Sequence, residues 1–200
     1  MIRSLLALSC LAPSLAAAMT FDVAVHVGGG GYLDDGLPYG PGVAAELGLG
    51  LTVLPMLSVG ADVSVGGLPI ERDPGFQVDD PSATLTLFAA RVSGRVLALD
   101  PVELWVTGHV GGFRHAIVGR DSVSGEVERT VSGVNYGAAV DGWWRVSDLV
   151  SIGARLRLSW LDPGKTCGSA EQSRRCRDVT ALEDQTTTHL GGLAGLRLSF

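Results

Sequence analysis

Apolar residues recur at every second position along most of the chain. Phe21, Val23, Val25 and Val27 alternate with Asp22, Ala24, His26 and Gly28. A period of two sends successive side chains to opposite faces, so the pattern predicts a strand with one apolar and one polar face. The same alternation returns over 43–51, 57–66, about 83–97, 103–110, 134–145, 150–160 and 189–200, which makes eight strands. The seventh is the most regular, with Val150, Ile152, Ala154, Leu156, Leu158 and Trp160 opposing Ser151, Gly153, Arg155, Arg157 and Ser159. The fourth is the least regular. Phe88, Ala90, Val92 and Val96 oppose Arg91, Ser93 and Arg95, but Leu85 and Leu87 share the parity of the arginines. Either a bulge shifts the register there or both leucines pack on the arginine side.

The breaks between strands alternate in length. Short turns fall near 54–56, 99–101 and 147–148, and long polar stretches over 29–41, 67–82, 112–133 and 161–187. That rhythm predicts an all-β fold, an eight-stranded antiparallel up-and-down transmembrane β-barrel with brief turns at one end and long loops at the other. The mean hydropathy of +0.30 is high, yet no segment after Ala18 approaches the ~18 continuous apolar residues of a membrane helix. A closed barrel disperses apolar surface in short pieces and satisfies every backbone hydrogen bond around the ring. Arginines facing lipid would be costly, which sends the charged parity inward. A secreted lipocalin-like barrel is the reverse arrangement, with apolar residues inside and the strand arginines in water. Phe21, Trp144 and Phe200 fall near the short-turn end, and Tyr136 and Trp160 near the long-loop end, as two interfacial girdles require.

The first residues change the picture of where the chain goes. A positive charge at Arg3, an apolar run over 4–15 and the small residues Ala16, Ala17 and Ala18 have the layout of a secretory signal peptide. The expected domains are therefore a signal peptide over 1–18 and a barrel over 19–200. Export leaves Cys167 and Cys176 in an oxidising compartment, where a disulfide is favoured over a metal site. The net charge of −6 gives no basic footprint for nucleic acid. No cofactor, metal or catalytic constellation is expected.

The signal peptide, the eight alternating segments and the terminal Leu196, Leu198, Phe200 pattern together resemble the OmpA-like and OmpX-like outer-membrane barrels. The resemblance implies location in a bacterial outer membrane, with membrane lipid and lipopolysaccharide as surroundings. It also implies that Leu196, Leu198 and Phe200 form the signal read by the barrel-assembly machinery. A porin-like cell-surface protein is the general expectation.

The inward parity carries the only dense chemistry. Asp22, Glu46, Asp62, Glu103 and Asp141 face Arg91, Arg95, Arg145, Arg155, Arg157 and Arg197, with His26, His109 and His189 among them. An eight-stranded barrel is just wide enough inside for side chains, so these charges are expected to pair into a structural plug. A narrow ion or solute path is the alternative. A lipid-modifying enzyme is a third reading, but His109, His115 and His189 lack the histidine-x-serine arrangement of the lipid A deacylases. The long loops are the remaining place for an extracellular ligand. The acidic pairs Asp34–Asp35 and Asp79–Asp80 lack calcium-loop spacing and read as solvated charge.

Overall fold

The computed structural model describes residues 19–34, 37–70, 79–121, 125–170, 173–179 and 186–200. The expected signal peptide over 1–18 and Asp35 lie outside the described residues. Nine strands follow in order: β1 (Thr20–Tyr32), β2 (Gly42–Leu54), β3 (Leu57–Leu68), β4 (Asp79–Leu99), β5 (Val102–Asp121), β6 (Gly125–Arg145), β7 (Val150–Ala170), β8 (Ser173–Asp178) and β9 (Thr187–Ser199). Every neighbouring pair is antiparallel, and β1 through β7 pair in chain order. β9 then closes the ring, with Ile152↔Leu196 on one side and Val25↔Leu196 on the other. The seam continues to the last residue. The Phe21 N–H donates to the Phe200 carbonyl at 3.0 Å and the Phe200 N–H returns to Phe21 at 2.9 Å.

Eight strands form the barrel, and β8 is a short arm that, among the described residues, pairs only with the upper end of β7. The turns β2–β3, β4–β5 and β6–β7 lie at one end with both ends of the described chain. In an outer-membrane barrel that is the periplasmic end.

The outward face is an apolar belt. Val25, Val27, Leu47, Leu49, Val63, Phe88, Val92, Val110, Val140, Ile152 and Leu156 are all exposed on it. Phe21, Trp144 and Phe200 mark its lower edge, and Tyr136, stacked on Trp160 at 5.8 Å, marks the upper one. At the level of the belt the strand arginines Arg91, Arg95, Arg155, Arg157 and Arg197 are inside. This excludes the lipocalin arrangement, because such a belt is stable against lipid and not against water.

Two stretches expected as loops are sheet. Over 112–133 the chain continues as the upper halves of β5 and β6, paired up to Asp121↔Gly125. Over 161–170 it forms the upper part of β7 and over 173–178 all of β8. β4 to β7 are accordingly about eight residues longer than β1 to β3 and β9, roughly 25 Å of strand. One wall of the barrel stands well above the other.

The fourth strand resolves the ambiguity at its top. The β3–β4 register runs without a shift, and β4–β5 is unshifted from Ser82 to Arg95. Leu85 and Leu87 therefore point inward, 3% and 2% exposed. They join Leu68, Ala83, Phe113, Ile117 and Leu161 in an apolar cluster inside the upper barrel.

Candidate functional site: the lumen and its outer mouth

Arg155 stands at the centre of the lumen. Its Nε donates to Asp141, and its Nη1 reaches both Glu46 and Asp62, the latter at 3.1 Å. Four strands meet there: β7 supplies the arginine, and β6, β2 and β3 the acids. Two residues further along the same face of β7, Arg157 Nη1 donates to Glu46 Oε2 at 2.9 Å. Arg91 from β4 reaches Asp62 at 3.1 Å. Thr107 donates its hydroxyl to Asp141 at 3.1 Å and contacts Ser93 at 2.8 Å. Three arginines thus face three carboxylates, all held away from solvent. Isolated charges would cost several kcal/mol each in such a place, and only mutual pairing with hydrogen bonds offsets that.

His26 completes this layer, fully buried with its Nδ1 3.6 Å from Glu46. Its ring lies against β9 at Gly195, its cross-strand partner. A Cβ there would sit 2.4 Å from the ring and 2.6 Å from the Val25 carbonyl, so only glycine fits.

A second layer lies toward the periplasm. Glu103 accepts from Arg197 at 2.8 Å, Arg95 at 3.1 Å, Trp105 Nε1 at 3.3 Å and Arg145 at 3.5 Å. Arg197 also stacks over Trp143 and Arg95 over Trp105. Asp22 is held by Thr52 and Ser199. Arg145 lies at the rim, half-exposed, where it also faces Asp100. A cavity of about 310 Å³ opens at this mouth. Toward Arg155 it narrows to a space of about 30 Å³, room for about one or two waters.

The eleven charged residues named from sequence therefore occupy two layers of the lumen. Cys167 and Cys176 are bonded to each other across β7 and β8, so the pair staples a hairpin arm in place of the expected loop. Leu196 and Phe200 are exposed on the outward face of the closing strand. A serine–histidine contact exists, His109 Nε2 to Ser159 Oγ at 3.1 Å. Ser159 is fully buried and also accepts from Arg157 at 3.2 Å, which gives a substrate no access to it.

The outer mouth brings His115 and His189, weighed from sequence as catalytic candidates, together with residues the sequence did not single out. Above the apolar cluster lies a cavity of about 390 Å³, bordered by Tyr32, Tyr39, Phe113, His115, Arg129 and Val131 among others. Tyr39 meets His115 edge-on at 4.5 Å, and Tyr32 lies within 6 Å of Tyr39, His115 and His189. Burial raises the Tyr39 phenol above its ordinary pKa, and nearby Arg129 only partly opposes this, so the hydroxyl keeps its proton at neutral pH. The available signal was the inward parity of Phe113 and Ile117, which continue the register of Glu103 and His109.

A closed eight-stranded ring with a lipid-facing belt, a charged lumen and a raised outer wall defines a small outer-membrane β-barrel, and the chain resides in that membrane. Solved structures share the fold. Neisserial surface protein A matches with a TM-score of 0.61 at 11% identity, over 91% of this chain and 97% of that one. A major outer membrane protein from Thermus thermophilus gives 0.63 at 16%, over 92% and 100%. Ail, the attachment invasion locus protein of Yersinia pestis, gives 0.51 at 13%, over 91% and 97%. No family model and no curated protein matches the sequence.

Proposed function

We propose that this barrel is non-enzymatic, that its lumen is closed by its own ion pairs, and that its role is structural or exercised at the outer surface. The observation that carries the reading is Arg155 held by three buried carboxylates across the middle of the bore. A solute would have to break that cluster to pass, at the cost of leaving charges unpaired in a low dielectric. Membrane lipid and lipopolysaccharide are then its constant partners. The barrel-assembly machinery meets the Leu196, Leu198, Phe200 strand during insertion, and an extracellular ligand meets the raised wall. Ail is known in complex with the heparin analogue sucrose octasulfate, which offers a precedent for a ligand on a barrel of this kind.

Two measurements on protein from an outer-membrane fraction test the proposal. Unheated samples should migrate differently from boiled ones in detergent gels, and the folded protein should give no discrete conductance in planar bilayers. Stepwise conductance that changes on Arg155→Met or Glu103→Gln would establish the channel reading instead.

A further inference from the structure

We propose that the outer-mouth cavity is a binding site for a small amphipathic carboxylate, an aliphatic or aromatic body ending in a single anionic group. This rests on the surface role just proposed and names the chemical class of ligand for it.

The lining sets the body of the ligand. Tyr32, Tyr39, Phe113 and Val131 border a space of about 390 Å³ above the apolar cluster, within the range of small-molecule sites. Apolar walls with a few convergent polar groups are the usual composition of such sites.

Two side chains set the head. His115 is 7% exposed, and its Nε2 is buried without a hydrogen-bond partner. The Tyr32 hydroxyl lies 3.3 Å from the other nitrogen, Nδ1. We assign the tautomer in which the Tyr32 hydroxyl donates to Nδ1 and Nε2 carries the proton. That buried donor lacks an acceptor, which is costly, and an oxygen of the ligand would satisfy it. Arg129 borders the same cavity from β6, and among the described residues no carboxylate pairs with it. Its guanidinium presents a fork that fits a carboxylate.

The two features together select charge. An aromatic cage alone would also suit a quaternary ammonium ion, but Arg129 at the edge repels a cation. A neutral ligand would use the walls and leave the arginine unpaired.

The probe is 4-phenylbutyrate, titrated calorimetrically into the folded barrel in lipid nanodiscs. Saturable binding is expected, with 4-phenylbutanol and the Arg129→Gln variant each weakening it by about tenfold or more, the scale of one charge-assisted hydrogen bond. His115→Phe should weaken it as well, and Val131→Trp should abolish it by filling the space. Every variant is first checked for the heat-dependent mobility shift. Arg129 is exposed, so its replacement keeps the fold even if Val131→Trp does not. Absence of saturable binding, undiminished binding to folded Arg129→Gln, or preference for 4-phenylbutyltrimethylammonium would each overturn the proposal. A barrel that conducts ions yet binds the probe would instead remove the closed-lumen reading and leave this one standing.

Discussion

Replacing Arg155 with methionine keeps much of the side-chain volume and removes one charge from a balanced set of six. The consequences differ among its three partners. Glu46 retains Arg157, and Asp62 retains Arg91. Asp141 is left with the Thr107 hydroxyl as its hydrogen-bond donor, so the orphaned charge sits there. Removing one partner of a buried ion pair costs about 3–5 kcal/mol, and the remaining arginines place the expected loss toward 3. Urea unfolding in lipid vesicles, followed by tryptophan fluorescence and by the fraction that keeps the fast gel mobility, measures it. Trp105 and Trp143 line the lumen next to the cluster and report its integrity. Adding Asp141→Asn neutralises the orphan, so the double variant should recover about 2 kcal/mol over Arg155→Met alone, within the usual range for coupled neighbours. A loss below about 1 kcal/mol, the scale of an exposed pair, or additive effects of the two substitutions, would refute the claim that this cluster is a dry, interdependent plug.

Two further predictions concern the arm and the closing strand. Cys167 and Cys176 lie nine residues apart, and closing a loop of that length stabilises by about 2–3 kcal/mol in the chain-entropy model. Because β8 pairs only with β7, reduction should raise proteolysis within β8 while the barrel keeps its mobility shift; loss of the barrel would show the arm to be integral. Phe200 is 65% exposed on the lipid face, so Phe200→Ala withdraws aromatic surface from the membrane interface and should lower the stability of the refolded barrel by about 1–2 kcal/mol without preventing refolding. If the residue is read during assembly, the same variant should sharply reduce the yield in the outer membrane of cells, and an unchanged yield would exclude that role.

Much of the barrel was legible because the bilayer imposes one rule on all eight strands. Within the belt the outward residues must be apolar, so Val150, Ile152, Leu156 and their counterparts announce their face, and Arg155 and Arg157 announce the other. The charged layers followed from parity alone. The pairing within them did not. Asp141 is the cross-strand neighbour of Arg155, 14 positions away, but that Arg155 also reaches Glu46 and Asp62 depends on barrel closure and on the stagger between strands, which residues 93 to 109 positions apart do not encode locally. Gly195 carried no readable message either, since its need for glycine arises from the His26 ring on the neighbouring strand.

The upper half was misjudged for a related reason, and the reason bears on function. Above the belt the outer face meets water, as Arg114 paired with Glu128 shows, so apolar residues gain nothing by pointing outward. Leu85, Leu87, Phe113 and Ile117 therefore turn inward on the same parity that carries Arg91, Arg95, Glu103 and His109 lower down. Along β4 from Ser82 to Arg95 the alternation does not break; its sign inverts at the membrane boundary. A reader expecting polar residues inside throughout sees disorder in the pattern at Leu85 and a loop after Gly112. Physically, the inversion divides the lumen into a charged lower part and an apolar upper part capped by Tyr32, Tyr39 and His115. The lower part suits closing the barrel. The apolar cluster fills the upper part, and the cavity of about 390 Å³ above it is where this fold has room to bind something small.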